Sequence, residues 1–298
     1  MSQTMSGFCH PFAAPGNWYR GNLHLHTTAS DGRRTPRAAA AWYRAHGYDF
    51  VAVTDHDALI PVAGLAQPGF LVLPGMEVHP GRTELGEPYH VVAVGLRREA
   101  AVARESDVQQ AIDALRDAGA FVWLAHPHWL GLTLLELARL RGYAGLEVYN
   151  TTCARFAKGL GAAQWDDLLA RGRLLWGLAV DDTHWEGRDW GRGWVMVKAT
   201  ELTPEAIVEA LAAGRFYATQ GPEIYEVTVA SQELYVRCSP VQSITCVSLA
   251  GWGSYALAPA RGPLLTEARF PLRHERVYLR VECSDSRGRT AWSQPVML

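Results

Sequence analysis

The chain has 298 residues, of which 48% are hydrophobic and 19% charged, a globular composition that excludes a disordered majority. Its 28 basic and 30 acidic residues leave a net charge of -2; with no overall basic field to hold a nucleic-acid backbone, polymeric nucleic acid is not an expected partner. No apolar run reaches the ~18–20 residues that span a bilayer, and residues 1–21 show no signal-peptide pattern. The five cysteines, Cys9, Cys153, Cys238, Cys246 and Cys283, lack metal-finger or disulfide-framework spacing, so a soluble cytoplasmic protein with free thiols and no membrane partner is expected.

Residues 19–26 read as a first strand ending on His24-Leu-His26. Side chains two apart on a strand share a face, so the two imidazoles are placed to converge on one ion, although a strand also carries paired histidines for packing. Thr35-Pro36 then reads as an N-cap with proline at the first helical position, and the helix stops at Gly47. Apolar runs follow at 50–54, 70–73, 90–94, 121–124, 146–149 and 174–180, with a helix opened by Ser106-Asp107 and another running from Thr203-Pro204 to Ala213. Continuous apolar strands alternating with helices imply a parallel sheet, and their number favours a closed α/β barrel, in which site residues gather at strand ends. Thr54-Asp55-His56, Gly75-Met76-Glu77, His90, Ala125-His126-Pro127 and Asp181-Asp182-Thr183-His184 all fall at such run boundaries. After Gly221-Pro222 the helical period disappears, and short runs over 224–296 read as an antiparallel β-sandwich. Two domains are expected, 1–221 and 222–298.

The ordered set of His-x-His with Ser-Asp-Gly behind it, Thr-Asp-His, Gly-x-Glu, an isolated His, Ala-His-Pro and a closing Asp-x-His resembles the PHP (polymerase and histidinol phosphatase) metal-dependent hydrolases. Gly-Leu-Glu-Val-Tyr-Asn150 and the segment ending Gly-Pro222 resemble the carbaryl-hydrolase-like branch. The resemblance implies a distorted (β/α)7 barrel with two or three divalent ions, Mn, Zn or Fe. By position His24, His26, Glu77 and Asp182 would hold the first, Glu77 would bridge to a second on His90 and His126, and Asp31, His56 and His184 would hold a third. Family members often carry His where Asp31 stands, and a carboxylate there favours Mn or Fe over Zn.

Such ions would ionise a bridging water near neutral pH to attack phosphorus or a carbonyl. The catalytic candidates are Asp182 and, for protonating the leaving group, His184, His128 or Asp55. Asp55 also reads as a residue that orients a histidine, and Asp181 either as a supporting group or as a change in charge preference. His46, His79 and His274 read as surface or loop histidines, and His10 as part of an unstructured start. Trp129, Trp185, Trp190 and Trp194 form either an aromatic wall for a base or aryl group or ordinary packing. Arg33, Arg155, Lys158 and Arg192 are candidates for holding a phosphate, or solvated loop charges. The leading expectation is a hydrolase of a small phosphoester, monoester or diester. The rivals are a carbamate or carboxylic ester hydrolase with the same metals, and a non-catalytic binding protein stabilised by them.

Overall fold

A computed structural model describes residues 10–100, 102–230, 232–272 and 277–298. In chain order the first portion comprises β1 (Asn17–Asn22), α1 (Pro36–Ala45), β2 (Phe50–Val53), β3 (Leu71–Val78), β4 (Val91–Val94), α2 (Val108–Asp117), β5 (Phe121–Leu124), α3 (Leu134–Arg139) and β6 (Gly145–Asn150). It continues with α4 (Thr151–Ala154), α5 (Ala162–Leu169), β7 (Trp176–Val180), β8 (Trp194–Ala199), α6 (Pro204–Ala212) and β9 (Phe216–Thr219). Strands then follow one another: β10 (Ile224–Ala230), β11 (Glu233–Val241), β12 (Ser243–Val247), β13 (Ser254–Leu257), β14 (Leu265–Pro271), β15 (Tyr278–Ser284), β16 (Thr290–Trp292) and β17 (Val296–Met297). No helix among the described residues is long and apolar enough to cross a membrane.

The helix starts follow local chemistry. Thr35 accepts from the Ala38 N–H at 3.3 Å with Pro36 at the first helical position, and the Asp107 carboxylate accepts from the N–H groups of Gln109 and Gln110, satisfying donors that have no partner within the helix. The short helices α3, α4 and α5 and the strand β13 were outside the sequence expectation. They span four to eight residues, too few to establish a period.

The main sheet runs β13-β12-β15-β16-β9-β8-β1-β2-β3-β4-β5-β6-β7. Its core is two parallel blocks, β1-β2-β3 and β5-β6-β7, making this a mixed α/β protein. Between the blocks, β4 runs antiparallel to both neighbours, a departure from the wholly parallel sheet expected. The connection 79–90 contains no helix, and without a crossover a strand returns alongside its predecessor in the opposite sense. A single parallel bridge, Leu25 to Thr183, joins the segments that follow β1 and β7.

The apolar strands are buried on both faces, as continuous runs require. Phe50 and Ala52 of β2 and Phe121 and Trp123 of β5 enter one core cluster. Their alternates Val51 and Val53 pack with Tyr43 and Trp185, and Val122 and Leu124 pack with Ile112 of α2 and Leu168 of α5.

In the C-terminal portion β10-β11-β14 form a separate three-stranded sheet, while β16 pairs with β9 and so continues the main sheet. Val227, Leu234 and Val236 from the first share a core with Ile244, Val281 and Cys283 from the second, together with Tyr217 of β9. The Gln294 side-chain amide donates to the Gly177 carbonyl and accepts from its N–H, both at 2.9 Å. A side chain thus acts as one more peptide unit beside β7. His10, expected in an unstructured start, stacks on Phe12 with centroids 5.2 Å apart; His274 and Cys9 lie outside the described residues.

Candidate metal centre

The strand ends described above carry their polar side chains to one rim. His24 and His26 follow β1, His56 follows β2, Glu77 closes β3, His126 follows β5, and Asp182 and His184 follow β7. His90 sits at the start of β4 rather than its end, and the antiparallel sense of that strand brings it to the same rim. His126 and Asp182 hold positive φ values of 25° and 54°, left-handed backbone that non-glycine residues adopt only where surrounding structure enforces it.

His24 Nε2 lies 3.2 Å from His26 Nε2, 3.4 Å from Glu77 Oε2 and 3.4 Å from Asp182 Oδ1. His26 Nε2 lies 3.5 Å from the same Glu77 oxygen and 3.0 Å from the same Asp182 oxygen. Four ligands arranged tetrahedrally at ~2.0–2.1 Å from an ion are separated by edges of about 3.3–3.4 Å, and the separations of His24 and His26 from each other, from Glu77 and from Asp182 lie on that scale. The other Glu77 oxygen, Oε1, faces His90 Nδ1 at 2.9 Å and His126 Nε2 at 3.5 Å. Asp31 Oδ2 lies 3.3 Å from both His56 Nε2 and His184 Nε2. The nine residues singled out as ligands thus fall into three adjoining donor groups.

The carboxylates and imidazoles of the groups shift one another's protonation. Burial alone would raise the Glu77 and Asp182 carboxyls; His24 and His90 around the first, and His24 and His26 around the second, hold both well below the carboxylate range. Burial pulls the His26 imidazole down to about 4, against Asp182 and Glu77. At His24 burial is outweighed by Asp182, Glu77 and Glu147, so that ring stays cationic well above the ordinary value. Buried ring nitrogens His26 Nδ1 and His126 Nδ1 have no hydrogen-bond partner, a costly arrangement for polar atoms away from water.

Glu147, which the motif reading passed over, organises the centre from beneath. It is fully buried in β6 and its Oε1 accepts from His24 Nδ1 at 2.7 Å and Trp123 Nε1 at 3.1 Å. Its Oε2 accepts from the His126 N–H and from Asn150 Nδ2, both at 2.8 Å, and Asn150 Nδ2 also donates to Asp182 Oδ2 at 3.0 Å. When His24 is neutral, binding its Nδ1–H selects the tautomer whose Nε2 lone pair faces the donor group. The one signal in the sequence is a carboxylate inside an otherwise apolar strand. In Glu147→Gln one oxygen remains for four donors, and divalent-ion affinity is expected to fall about 10–100-fold in chelator competition; unchanged affinity would remove this role.

Two of the proton-transfer candidates lie outside the three donor groups. Asp55 is buried and saturated by Thr27 N–H and Oγ1 at 2.7 Å each and Ser30 N–H and Oγ at 3.1 and 2.6 Å, so it anchors the loop that carries Asp31. Gly32 completes that loop, since a Cβ there would lie 2.4 Å from the His26 carbonyl oxygen. Asp55→Ala is expected to destabilise the protein by about 2–3 kcal/mol, because charge-assisted acceptors are lost from buried donors, and to disturb the Asp31 group first; thermal melts and metal stoichiometry check both. His128 is exposed in the turn after His126, outside the lining of the cavity over the donor groups. Asp182 and His184 remain in the cluster.

Asp181 holds the loop after β7, accepting from Tyr43 Oη at 2.7 Å and from the N–H groups of Gly191, Arg192 and Gly193. Asp189, buried and not anticipated, accepts from Thr183 Oγ1 at 2.7 Å and the His184 N–H at 2.9 Å. His79 lies in the loop after β3, with its side chain largely buried. Its Nδ1 lies 3.1 Å from Asp57 and its Nε2 4.0 Å from Glu77 Oε2.

A cavity of about 510 Å³ opens over the donor groups, and Trp129, Thr152, Cys153, Arg155, Phe156 and Glu186 complete its lining. Of the four tryptophans, Trp129 faces it, packed edge-on to Phe156 at 4.9 Å, whereas Trp185, Trp190 and Trp194 pack among Trp42, Tyr43 and Tyr48 behind the loops. Of the four basic candidates Arg155 lines the cavity, held by the carbonyls of Glu186 and Thr152. Arg33 is paired with Glu186, Lys158 sits over the Trp129 ring at 5.8 Å, and Arg192 is turned onto the Arg188 carbonyl away from the lining.

No family model matches this sequence, and no curated protein does either. Among solved structures, a two-domain protein from Bacteroides vulgatus that contains a predicted PHP-like metal-dependent phosphoesterase superposes with a TM-score of 0.53 at 16% identity, over 100% of this chain and 99% of the other. That likeness is one of fold. An amidohydrolase from Chromobacterium violaceum gives a TM-score of 0.46 at 16% identity over 66% of this chain and 96% of its own.

Proposed function

We propose that this protein is a PHP-type metal-dependent hydrolase acting on a small phosphoester. The observation that carries the reading is Glu77, buried at 1% exposure, whose two oxygens face two different sets of imidazole nitrogens, the arrangement of a carboxylate shared between two cations. His24, His26 and Asp182 would hold one, His90 and His126 the next, and Asp31, His56 and His184 a third; the carboxylate-bearing third group favours Mn or Fe over Zn. Divalent ions held there would ionise a water near neutral pH and neutralise charge growing on the attacked group. The chain supplies the rest. Glu147 and Asn150 orient the donors, Asp55 positions the Asp31 loop, and Arg155 presents a cation fixed by carbonyls rather than neutralised by a carboxylate, which supports an anionic substrate.

The same reading takes residues 1–221 as a closed seven-strand barrel, supported by the Leu25 to Thr183 bridge, and 222–298 as a β-sandwich domain, supported by the shared core of the two sheets. Placement in the carbaryl-hydrolase-like branch rests on the segment that contains Glu147 and Asn150. The edge-to-face Trp129 and Phe156 pair favours one second reading, an aryl carbamate or ester hydrolase with the same donors.

The test is a chromogenic panel of phosphate monoester, phosphodiester, aryl carbamate and aryl ester, with Mn- or Zn-loaded protein and Asp182→Ala as control. Phosphoester turnover that disappears in the variant supports the proposal. Turnover of carbamate or ester alone replaces it with the second reading, and silence with full metal loading defeats both.

A further inference from the structure

The donor cluster is open to more than one cavity. A second cavity, of about 620 Å³, shares His56 with the first and is lined by His79, Gly81, Arg82, Pro88, Arg104 and Glu105. Its wall is built, not incidental: the connection 79–90 is tied down by buried Glu136 of α3, which accepts from the Glu84 N–H at 2.8 Å and from Tyr89 Oη at 3.2 Å, and the Gly81 N–H donates to the Arg104 carbonyl at 3.1 Å. The two cavities also match in chemistry. Arg104 is neutralised by Asp57, but the Arg82 guanidinium donates to the Gly86 carbonyl and no carboxylate pairs with it among the described residues, as is true of Arg155 in the first cavity. Each cavity therefore offers a carbonyl-held cation, and the first adds the Trp129 and Phe156 rings.

A phosphomonoester has one organic substituent and fills one such space; the second space then has no ligand to contact. We infer that the substrate carries an organic group on each side of the attacked phosphorus, a phosphodiester laid across His56, with one substituent in the Trp129–Phe156–Arg155 cavity and the other, polar or anionic, in the Arg82 cavity. This inference rests on the phosphoester reading above and narrows it.

The experiment compares p-nitrophenyl phosphate with thymidine 5′-(p-nitrophenyl) phosphate, which share a leaving group, in wild-type metal-loaded protein and in Phe156→Ala and Arg82→Ala. The diester is expected to be the better substrate by about tenfold or more in kcat/KM, the scale of one added set of binding contacts. Its KM is expected to rise in both variants, because it touches both cavities, while the KM of the monoester rises in only one. A preference for the monoester, or a diester KM that Arg82→Ala leaves where it was, overturns the inference while the phosphoester reading stands. No turnover of either compound overturns both.

Discussion

Glu77→Gln is expected to lower kcat/KM by about a thousandfold or more, the scale of losing preorganised electrostatic stabilisation at a reacting centre, and to strip divalent ions from two donor groups together. The substitution is nearly isosteric, so the loss is chemical. Glu77 Oε2 faces His24, His26 and His56 Nδ1, the last at 2.9 Å, while Oε1 faces His90 and His126. A glutamine has one oxygen for these two sets, and its amide hydrogens point at ring nitrogens whose lone pairs are needed for an ion. Metal content after gel filtration, read beside far-UV circular dichroism, separates ligand loss from misfolding. A folded variant that keeps its full ion content would remove Glu77 from the shared position. Acid should mimic the substitution. Glu77 and Asp182 stay ionised well below the usual carboxylate range, so ion release on lowering pH is expected to follow protonation of the imidazoles.

The clustering of the donor residues was legible because a single His or Asp that interrupts an apolar run at a strand end is a residue type a metal site would use. His24 and His26 could be paired from spacing alone, since two residues apart on an extended chain means one side. What escaped the reading was set by chain direction and by depth. His90 precedes its strand because β4 is antiparallel, and nothing in the run 90–94 encodes direction; the cue is the missing helix over 79–90. Glu147 has one donor near it in sequence, Asn150 three residues on, but its other donors, His24, Trp123 and His126, are distant in sequence. The tryptophans stayed open between cavity wall and packing for a related reason. A bulky ring after a ligand-bearing strand packs behind a loop as readily as into a cavity, and only the geometry of Asp181 and Asp189, which fold the loop from Trp185 to Gly193 back on itself, assigns three of the four to packing.

Arg280→Ala is expected to destabilise the whole chain by about 3–5 kcal/mol, as when one partner of a buried ion pair is removed. Arg280 in β15 is 1% exposed; its Nε and Nη2 donate to the two oxygens of Asp166 in α5 at 2.7 and 2.6 Å, and Nη1 donates to Glu282 at 2.6 Å. Tyr278 Oη adds a 3.0 Å bond to the same Asp166, and the guanidinium lies over the Trp165 ring at 4.8 Å. Truncation leaves two carboxylates together without their cation and a void beside Trp165. Asp166 and Glu282 retain partial access to water, each 27% exposed, which places the expected loss toward the lower end of that range. Arg280→Met separates the terms, because it refills the space and removes only the charge, and replacing a buried charge by an apolar group of similar volume is often mild. Urea denaturation followed by tryptophan fluorescence reads both variants. Because the bridge joins α5 to the C-terminal strands, and β16 continues the main sheet through β9, the expected outcome is one cooperative transition moved to lower urea in Arg280→Ala. A variant in which residues 222–298 melt separately while residues 1–221 keep their wild-type midpoint would show that the bridge stabilises the C-terminal strands alone.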